Sequence, residues 1–418
     1  MRRRQLIGAG AALAALPIAA TPAKGATARV VVIGGGFAGA TFIRTLRRAE
    51  PSIAVTLVEP NPVYTACPMS NSVIAGLRDI RQQQFRRDAL KAAGVAVVPL
   101  AAVGVDAVAR SVTLSDGSRL AYDRLVLAPG IELRWDAWPG YDEAASLQLP
   151  HAWQAGDQTV LLRSQLHAMD DGGLVVIVVP AGPLRCPPGP YERASLIAHY
   201  LQEKKPRSKL VILDAKDAIP RQALFVEAWT KLYPGRIEWV PLSKGGEVVS
   251  VTAATRTIET DFDQYRAAVA NVIPPHRAGR IAAIAGVSDR SGWCPVDSAS
   301  FESRLQPGTH VIGDAVLTGA LPKSASGAIA QARRCAAAVI AELAGRSVEA
   351  ARLETACHSL AAPGYGIAIR GSFVPRDDAF AEVDAAANAP VPGEDAQRAR
   401  DAEAAQVGFR AMTKEAFG

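Results

Sequence analysis

Residues 28–71 read ARVVVIGGGFAGATFIRTLRRAEPSIAVTLVEPNPVYTACPMSN, and this stretch decides the fold. Arg29–Ile33 is a short β-branched run, the pattern of a strand buried in a parallel sheet. Gly34, Gly36 and Gly39 follow as G-x-G-x-x-G. The first permits a tight turn, the second lets the backbone approach a pyrophosphate, and the third lets the next helix pack on the sheet. Residues 40–49 have helical character, so the N-terminus of that helix offers free N–H groups and a favourable dipole to phosphates. A second strand, Ala54–Val58, ends in Glu59, an acid placed to accept hydrogen bonds from ribose hydroxyls. The glycines alone are weak evidence, since a glycine-rich βα turn without a ligand has the same pattern. Strand, glycines, helix, strand and acid at this spacing predict an adenine dinucleotide. Cys67, eight residues past Glu59, is close enough along the chain to meet the far end of the same cofactor.

Outward from this unit, residues 81–93 have helical spacing, and 95–99, 103–108 and 111–114 read as strands with a turn at Ser115-Asp116-Gly117. Residues 122–130 (YDRLVLAPG) form a strand closing on a small-residue turn. Residues 173–180 (GLVVIVVP) are a second fully apolar strand, after which another nucleotide motif would be expected. The sequence there is AGPLRCPPGPYER, residues 181–193. Its prolines remove N–H donors, and its glycines are wrongly spaced to cradle a pyrophosphate. This predicts a nucleotide-type fold without NAD, with Cys186 where that site would open. Helices are expected over 194–203 and 227–233, strands over 210–213 and 237–241, and a hairpin from 248–251 and 257–260. Pro274-Pro275 marks a return to the first domain, and His276 reads as a solvated loop histidine.

Residues 308–315 (GTHVIGDA) are the second diagnostic stretch. A strand delivers Gly313-Asp314, whose acid can hydrogen-bond the ribityl chain or adjoining phosphate of FAD. Residues 321–326 (LPKSAS) lead into an alanine-rich helix, 327–343, whose N-terminus can face the electron-rich edge of a flavin. Lys323 either supplies a positive charge there or is solvated. Beyond Gly345 the character changes: 367–373 reads as a strand, and 379–406, rich in Ala, Asp and Glu, as surface helix or a mobile segment.

The start of the chain, MRRRQLIGAGAALAALPIAATPAKGATA, has the charged, apolar and small-residue order of an export signal, with consecutive arginines suited to the twin-arginine route. The alternative is a short membrane anchor. Cleavage falls after Gly25 or after Ala28. Removing residues 1–25 takes away Arg2, Arg3, Arg4 and Lys24 and lowers the formal charge from +6 to +2. No nucleic-acid role therefore follows from the charge, and no stable membrane insertion is expected. The five cysteines are Cys67, Cys186, Cys294, Cys335 and Cys357. Export permits a disulfide, and the odd number leaves at least one cysteine free or otherwise bonded. No metal-ligand cluster emerges, and no C-x-x-C-H occurs, so any haem belongs to another polypeptide.

Assembled, the chain resembles the flavoprotein subunits of flavocytochrome c sulfide dehydrogenase, within the glutathione-reductase-like disulfide oxidoreductases that include sulfide:quinone oxidoreductases. GGGFAGA, APGIEL, CPPGPYERAS, GWCPVD, HVIGDA and PKS carry the resemblance, together with the Glu59-to-Cys67 spacing. It implies that Cys67 carries FAD through a thioether, the alternative being an unreactive buried cysteine. It implies that Cys186 and Cys357 are a redox-active pair, the alternative being a structural disulfide. Glu192 matches a family acid near the flavin, the alternative being a surface glutamate. The implied activity is oxidation of sulfide to sulfane sulfur or polysulfide, with electrons passing to a cytochrome c subunit or soluble cytochrome c in the periplasm. A quinone-linked sulfide oxidase and an accessory flavoprotein of a sulfur pathway remain open. The tail departs from the family's pattern: no tryptophan follows Trp293, and Phe409 is the aromatic residue that can stand in. The expected architecture is α/β, with two Rossmann-like dinucleotide-binding domains and a C-terminal interface domain. FAD-binding segments are expected at 26–140 and 275–347, the NAD-like domain at 141–274 and the interface domain at 348–418.

Overall fold

β-Branched runs become central strands in this protein because helices cover the sheets they form. The structure, a computed structural model, describes residues 27–377, 379–384 and 395–418. The expected export segment, 1–25, lies outside the described residues. The first part of the frame is β1 (Arg29–Ile33), α1 (Phe37–Ala49), β2 (Ala54–Val58), β3 (Ala96–Val98) and β4 (Arg124–Leu127). Next come β5 (Leu174–Val179), α2 (Gly189–Lys204), β6 (Lys209–Asp214), β7 (Ile237–Val240) and β8 (Val269–Val272). The chain then forms β9 (Thr309–Val311), α3 (Ala325–Leu343), β10 (Leu353–Ala362), β11 (Tyr365–Arg376), β12 (Ala379–Val383) and α4 (Asp395–Phe417).

A five-stranded parallel sheet runs β9-β4-β1-β2-β3. Its edge strand β9 comes from far downstream, so two separated segments build one layer. The chain between them forms a parallel four-stranded sheet, β7-β6-β5-β8. An antiparallel pair, Ile131–Leu133 with His276–Ala278, joins the exit from the first sheet to the return. The third unit is the antiparallel sheet β10-β11-β12, on which α4 packs. This is the α/β class with two dinucleotide-type sheets that the sequence predicts. Gly34 and Gly39 explain the tight first turn. A Cβ at Gly34 (φ +98°) would lie 2.3 Å from the Ala128 carbonyl oxygen, and one at Gly39 would lie 1.9 Å from the Gly34 oxygen.

Three expectations are corrected. Residues 81–93 are not one helix but a short 3₁₀ turn, the strand Gln84–Arg86 and the helix Asp88–Ala92. Pairing of Gln84–Arg86 with Val63–Thr65 overrides the local helical spacing. Residues 379–406 contain β12 and the first half of α4, which is anchored by buried Asp401, Ala402 and Ala405; residues 385–394 lie outside the described residues. His276 is a buried strand residue, 5% exposed, rather than a solvated loop residue.

The far end of α4 joins an aromatic cluster. Phe417 stacks on Phe85 at 5.0 Å and lies 5.4 Å from Phe37 and 5.2 Å from Tyr64, centroid to centroid. The Phe417→Ala substitution should cost about 3 kcal/mol through lost transfer energy and the cavity left behind, measured by urea denaturation of the purified protein.

Candidate functional site

A cavity of about 700 Å³ opens along the C-terminal ends of β1 and β4 and continues to α2, β10 and α4. That volume is in the range of small-molecule and cofactor sites. At one end lie Gly34, Gly35 and Gly36, with Gly36 at the N-cap of α1 and no side chain capping the helix. Gly39 lies one turn further in and supports the turn rather than lining the cavity. Glu59 accepts a hydrogen bond from Gly35 N at 2.9 Å and another from Asn61 N at 3.0 Å. Its carboxylate also pairs with Arg87 at 3.3 Å. Arg87 is 4% exposed, fills the space beside Gly35 and donates to the Gly35 and Asn61 carbonyls. Arg87 has no cue in the sequence, because no spacing rule links it to the glycine motif.

Midway along the cavity, the turn Gly313–Ala315 presents Asp314. Its Oδ1 is buried and lacks a hydrogen-bond partner. Burial pushes its carboxyl up, against the opposing pull of Arg185 and Lys323. Lys323 does not line the cavity. Its Nζ donates to the Asp314 carbonyl at 2.9 Å and the Val316 carbonyl at 2.5 Å, and lies 3.9 Å from the Trp293 ring centroid. Burial brings its pKa down to about 8. Lys323 therefore buttresses the Asp314 turn, and its own carbonyl accepts from Cys186 N at 2.7 Å.

Cys67, Cys186 and Cys357 all line the same cavity, whereas Cys294 and Cys335 are sealed in the core. All five are free thiols in this structure. Cys186 adopts φ +53° just ahead of α2. Burial pushes its thiol up, and the nearby Glu192 and Cys357 add to that, against Arg185. Cys357 lies on β10, with the Ser326 hydroxyl 3.0 Å from its sulfur. Glu192 accepts from Leu360 N and from Asn71 Nδ2, each at 2.9 Å, so both of its oxygens are engaged. Burial raises its carboxyl above the ordinary glutamate range.

Arg193 is a second residue without a sequence cue. It donates to Asn71 Oδ1 (3.0 Å), the His151 carbonyl (3.0 Å), Asn271 Oδ1 (2.8 Å) and the Ala152 carbonyl (2.6 Å), and lies over Trp153. Burial lowers its pKa to about 9, against Glu192 and Cys186. Gly408, Phe409 and Met412 bring α4 to the cavity wall, where the Phe409 ring lies 6.2 Å from Phe85 and under the Arg78 guanidinium. In the second sheet, Asp214 ends β6 where a nucleotide fold presents its ribose acid. It is fully buried and already bonded to Tyr191 Oη (2.6 Å), Trp239 Nε1 (3.0 Å) and Lys216 Nζ (2.6 Å).

Residues 28–168 match the pyridine nucleotide-disulphide oxidoreductase family. Residues 159–274 match the central part, and residues 349–417 the flavin-binding part, of the flavocytochrome c sulfide dehydrogenase flavoprotein chain. A flavoprotein chain of that enzyme from Chlorobaculum thiosulfatiphilum is 57% identical over 47 residues, 11% of this chain and 98% of that one. The chain belongs to the flavocytochrome c sulfide dehydrogenase flavoprotein family. The sulfide-quinone reductase of Aquifex aeolicus is 26% identical over 178 residues, 42% of this chain and 40% of the relative's length. Among solved structures, the sulfide:quinone oxidoreductase of the same bacterium superposes with a TM-score of 0.73 at 16% identity, covering 93% of this chain and 92% of that one. Putidaredoxin reductase in its covalent complex with putidaredoxin gives 0.61 at 18% identity, covering 85% and 89%. At these identities both structures speak for the fold alone.

The flavin-binding match at residues 349–417 includes part of this cavity's lining, and the cavity's residues fit a flavin. The glycine turn and open N-terminus of α1 suit a pyrophosphate, Glu59 a ribose, and the orphaned Asp314 oxygen a ribityl hydroxyl.

His151 and His276 flank Trp153 in the wall. Burial brings their pKa values down to about 3 and about 2, with neighbouring cations adding to the effect. Both are neutral in the fold and take up protons on unfolding below about pH 6.5. The unfolded state then holds more protons, so these groups make stability fall as pH drops below that value. His276→Gln should make the pH dependence of the urea midpoint shallower by about one proton between about pH 4 and 6.

Proposed function

We propose that the protein is an FAD-dependent sulfide dehydrogenase subunit that passes electrons to a cytochrome c in the periplasm. The observation that carries this reading is the meeting of Cys67, Cys186 and Cys357 with Asp314 on one cavity wall, drawn from distant parts of the sequence. Cys67 is the residue to hold FAD covalently, which prevents cofactor loss outside the cell. Gly34, Gly36, Glu59 and Asp314 bind its dinucleotide and ribityl portions, with Gly39 and Lys323 supporting the turns that present them. The bound flavin supplies acceptance of an electron pair and its release in single electrons to a haem protein.

The protein's own part is sulfur chemistry. Hydrosulfide attacks a Cys186–Cys357 disulfide, leaving a persulfide on one sulfur and a thiolate on the other. Glu192, with a raised affinity for protons, sits near the Cys186 sulfur and holds Leu360 and Asn71 in place. Oxidised sulfur leaves as sulfane sulfur or polysulfide. NAD has no part, because the hydrogen bonds of Asp214 are taken and prolines interrupt the loop after β5. The twin-arginine pattern supports export, and the family's description as the flavoprotein chain of a flavocytochrome c supports a haem-bearing partner.

The test is anaerobic sulfide titration of the holoprotein, following flavin absorbance. Sulfide should bleach the flavin, and cytochrome c should restore it. Recovery with quinone alone assigns the quinone-linked activity instead. A flavin that stays oxidised under sulfide with a competent acceptor present defeats both and leaves the accessory role. Cys186→Ser and Cys357→Ser should each abolish bleaching while keeping the flavin bound. Cys67→Ala should release the flavin on acid precipitation, where the unsubstituted protein retains it.

A further inference from the structure

The two sulfurs of the pair sit in opposite surroundings. Ser324 is the N-cap of α3, and its Oγ accepts from Gly327 N at 3.1 Å. Its own hydroxyl proton is then available to Ser326 Oγ, 3.3 Å away. This leaves the Ser326 proton for Cys357 Sγ at 3.0 Å. A Cys357 thiolate can only accept, so the donors then run one way, from a helix amide through two hydroxyls to sulfur. Such a bond strengthens when the acceptor is charged, and each member polarises the next. The positive end of the 19-residue α3 dipole lies on the same side.

Cys186 lacks this support. Among the described residues no hydrogen bond reaches its sulfur. The first-turn amides of α2 are spent on backbone: Gly189 N on the Cys186 carbonyl (2.8 Å), and Tyr191 N and Glu192 N on the Pro188 carbonyl (3.2 and 3.1 Å). Pro190 has no N–H. Burial, Glu192 and Cys357 disfavour negative charge on this sulfur, with Arg185 in opposition.

We propose that Ser324 and Ser326 are positioning residues that stabilise charge on Cys357, so that Cys357 leaves as thiolate when the disulfide opens and the incoming hydrosulfide is captured on Cys186. The inference rests on the sulfide dehydrogenase reading and on the pair forming a disulfide. In the step, HS⁻ forms an S–S bond to Cys186 Sγ and keeps its proton. The Cys186–Cys357 bond breaks, its electron pair stays on Cys357 Sγ, and the negative charge moves from hydrosulfide to that sulfur. In exchange reactions the sulfur that better holds charge leaves faster. The titratable and charged groups about the pair are Glu192 on α2, Arg185 and Asp314, with His358 next to Cys357 on β10.

The experiment is limited alkylation of reduced, anaerobic holoprotein with iodoacetamide, read for each cysteine by peptide mass spectrometry. Near pH 7, Cys357 should react at least about 10-fold faster than Cys186. Ser326→Ala should slow Cys357 about 10-fold, move its pH–rate profile to higher pH and leave Cys186 unchanged, and Ser326→Thr should restore the rate. Cys186 reacting as fast as Cys357, or a Cys357 rate indifferent to Ser326→Ala, overturns the proposal. A second measurement uses the oxidised, unsubstituted protein: one equivalent of sulfide, then trapping and mapping of the persulfide. Persulfide on Cys186 supports the assignment, and persulfide on Cys357 overturns it. Alkylation needs no sulfide. Intact, Ser326-dependent ranking of the thiols beside a flavin that sulfide never bleaches therefore counts against the sulfide dehydrogenase reading and not against the relay.

Discussion

A guanidinium removed from water must have its donors satisfied, and Arg193 meets this demand with acceptors from three other regions of the chain. Asn71 comes from the loop after Cys67, His151 and Ala152 from the link between the two parallel sheets, and Asn271 from β8. Its neighbour Glu192 reaches the same Asn71 and, in the other direction, the backbone of β10. Asn71 thus mediates between a buried cation and a buried acid and uses both ends of its amide. This network fixes where the N-terminus of α2 lies relative to the other units. Cys186 precedes that N-terminus, and Cys67 and Cys357 sit four and three residues from two of the groups it holds. Placement of the sulfurs is therefore a consequence of satisfying two charges.

The second parallel sheet has the outline of a nucleotide domain, and the acid that ends its strand β6 is held by the protein itself. Tyr191 and Trp239 direct their polar tips at Asp214, and Lys216 completes the set. An acid that would need ribose hydroxyls as partners is satisfied internally. The same helix that supplies Tyr191 supplies Glu192 and Arg193, so one turn of α2 bonds Asp214 on one side and reaches Asn71 and β10 on the other.

Much of this was legible in the sequence because it rests on local chemistry. The strand, glycine turn and helix at 29–49 and the Gly313-Asp314 turn follow from steric limits on short segments, and both contribute to the cavity lining. Residues 81–93 misled, because helical spacing there is overruled by pairing with a strand 20 residues upstream. His276 misled for a related reason: flanking prolines suggested a loop, and its burial depends on Trp153 and on a strand pairing that no local pattern reveals. Lys323 was matched to the right turn and the wrong direction, since sequence places a side chain near a site without saying which way it points. Arg87 and Arg193 were invisible because their partners are mostly backbone carbonyls and distant amides. Convergence of Cys186 and Cys357 came from family resemblance, and no physical rule applied to one sequence supplies it.

The cavity wall begins at Gly34 and takes its last contribution from Met412. The helices nearest those two positions, α1 and α4, pack against each other. Contacts spanning so much sequence form late in folding, after the entropy of closing the intervening chain has been met. A chain that ends before α4 leaves the cavity wall incomplete, although the glycine turn at one end of it needs only nearby residues. Making the turn and enclosing the cavity are thus separate requirements, the first local and the second dependent on both ends of the described chain.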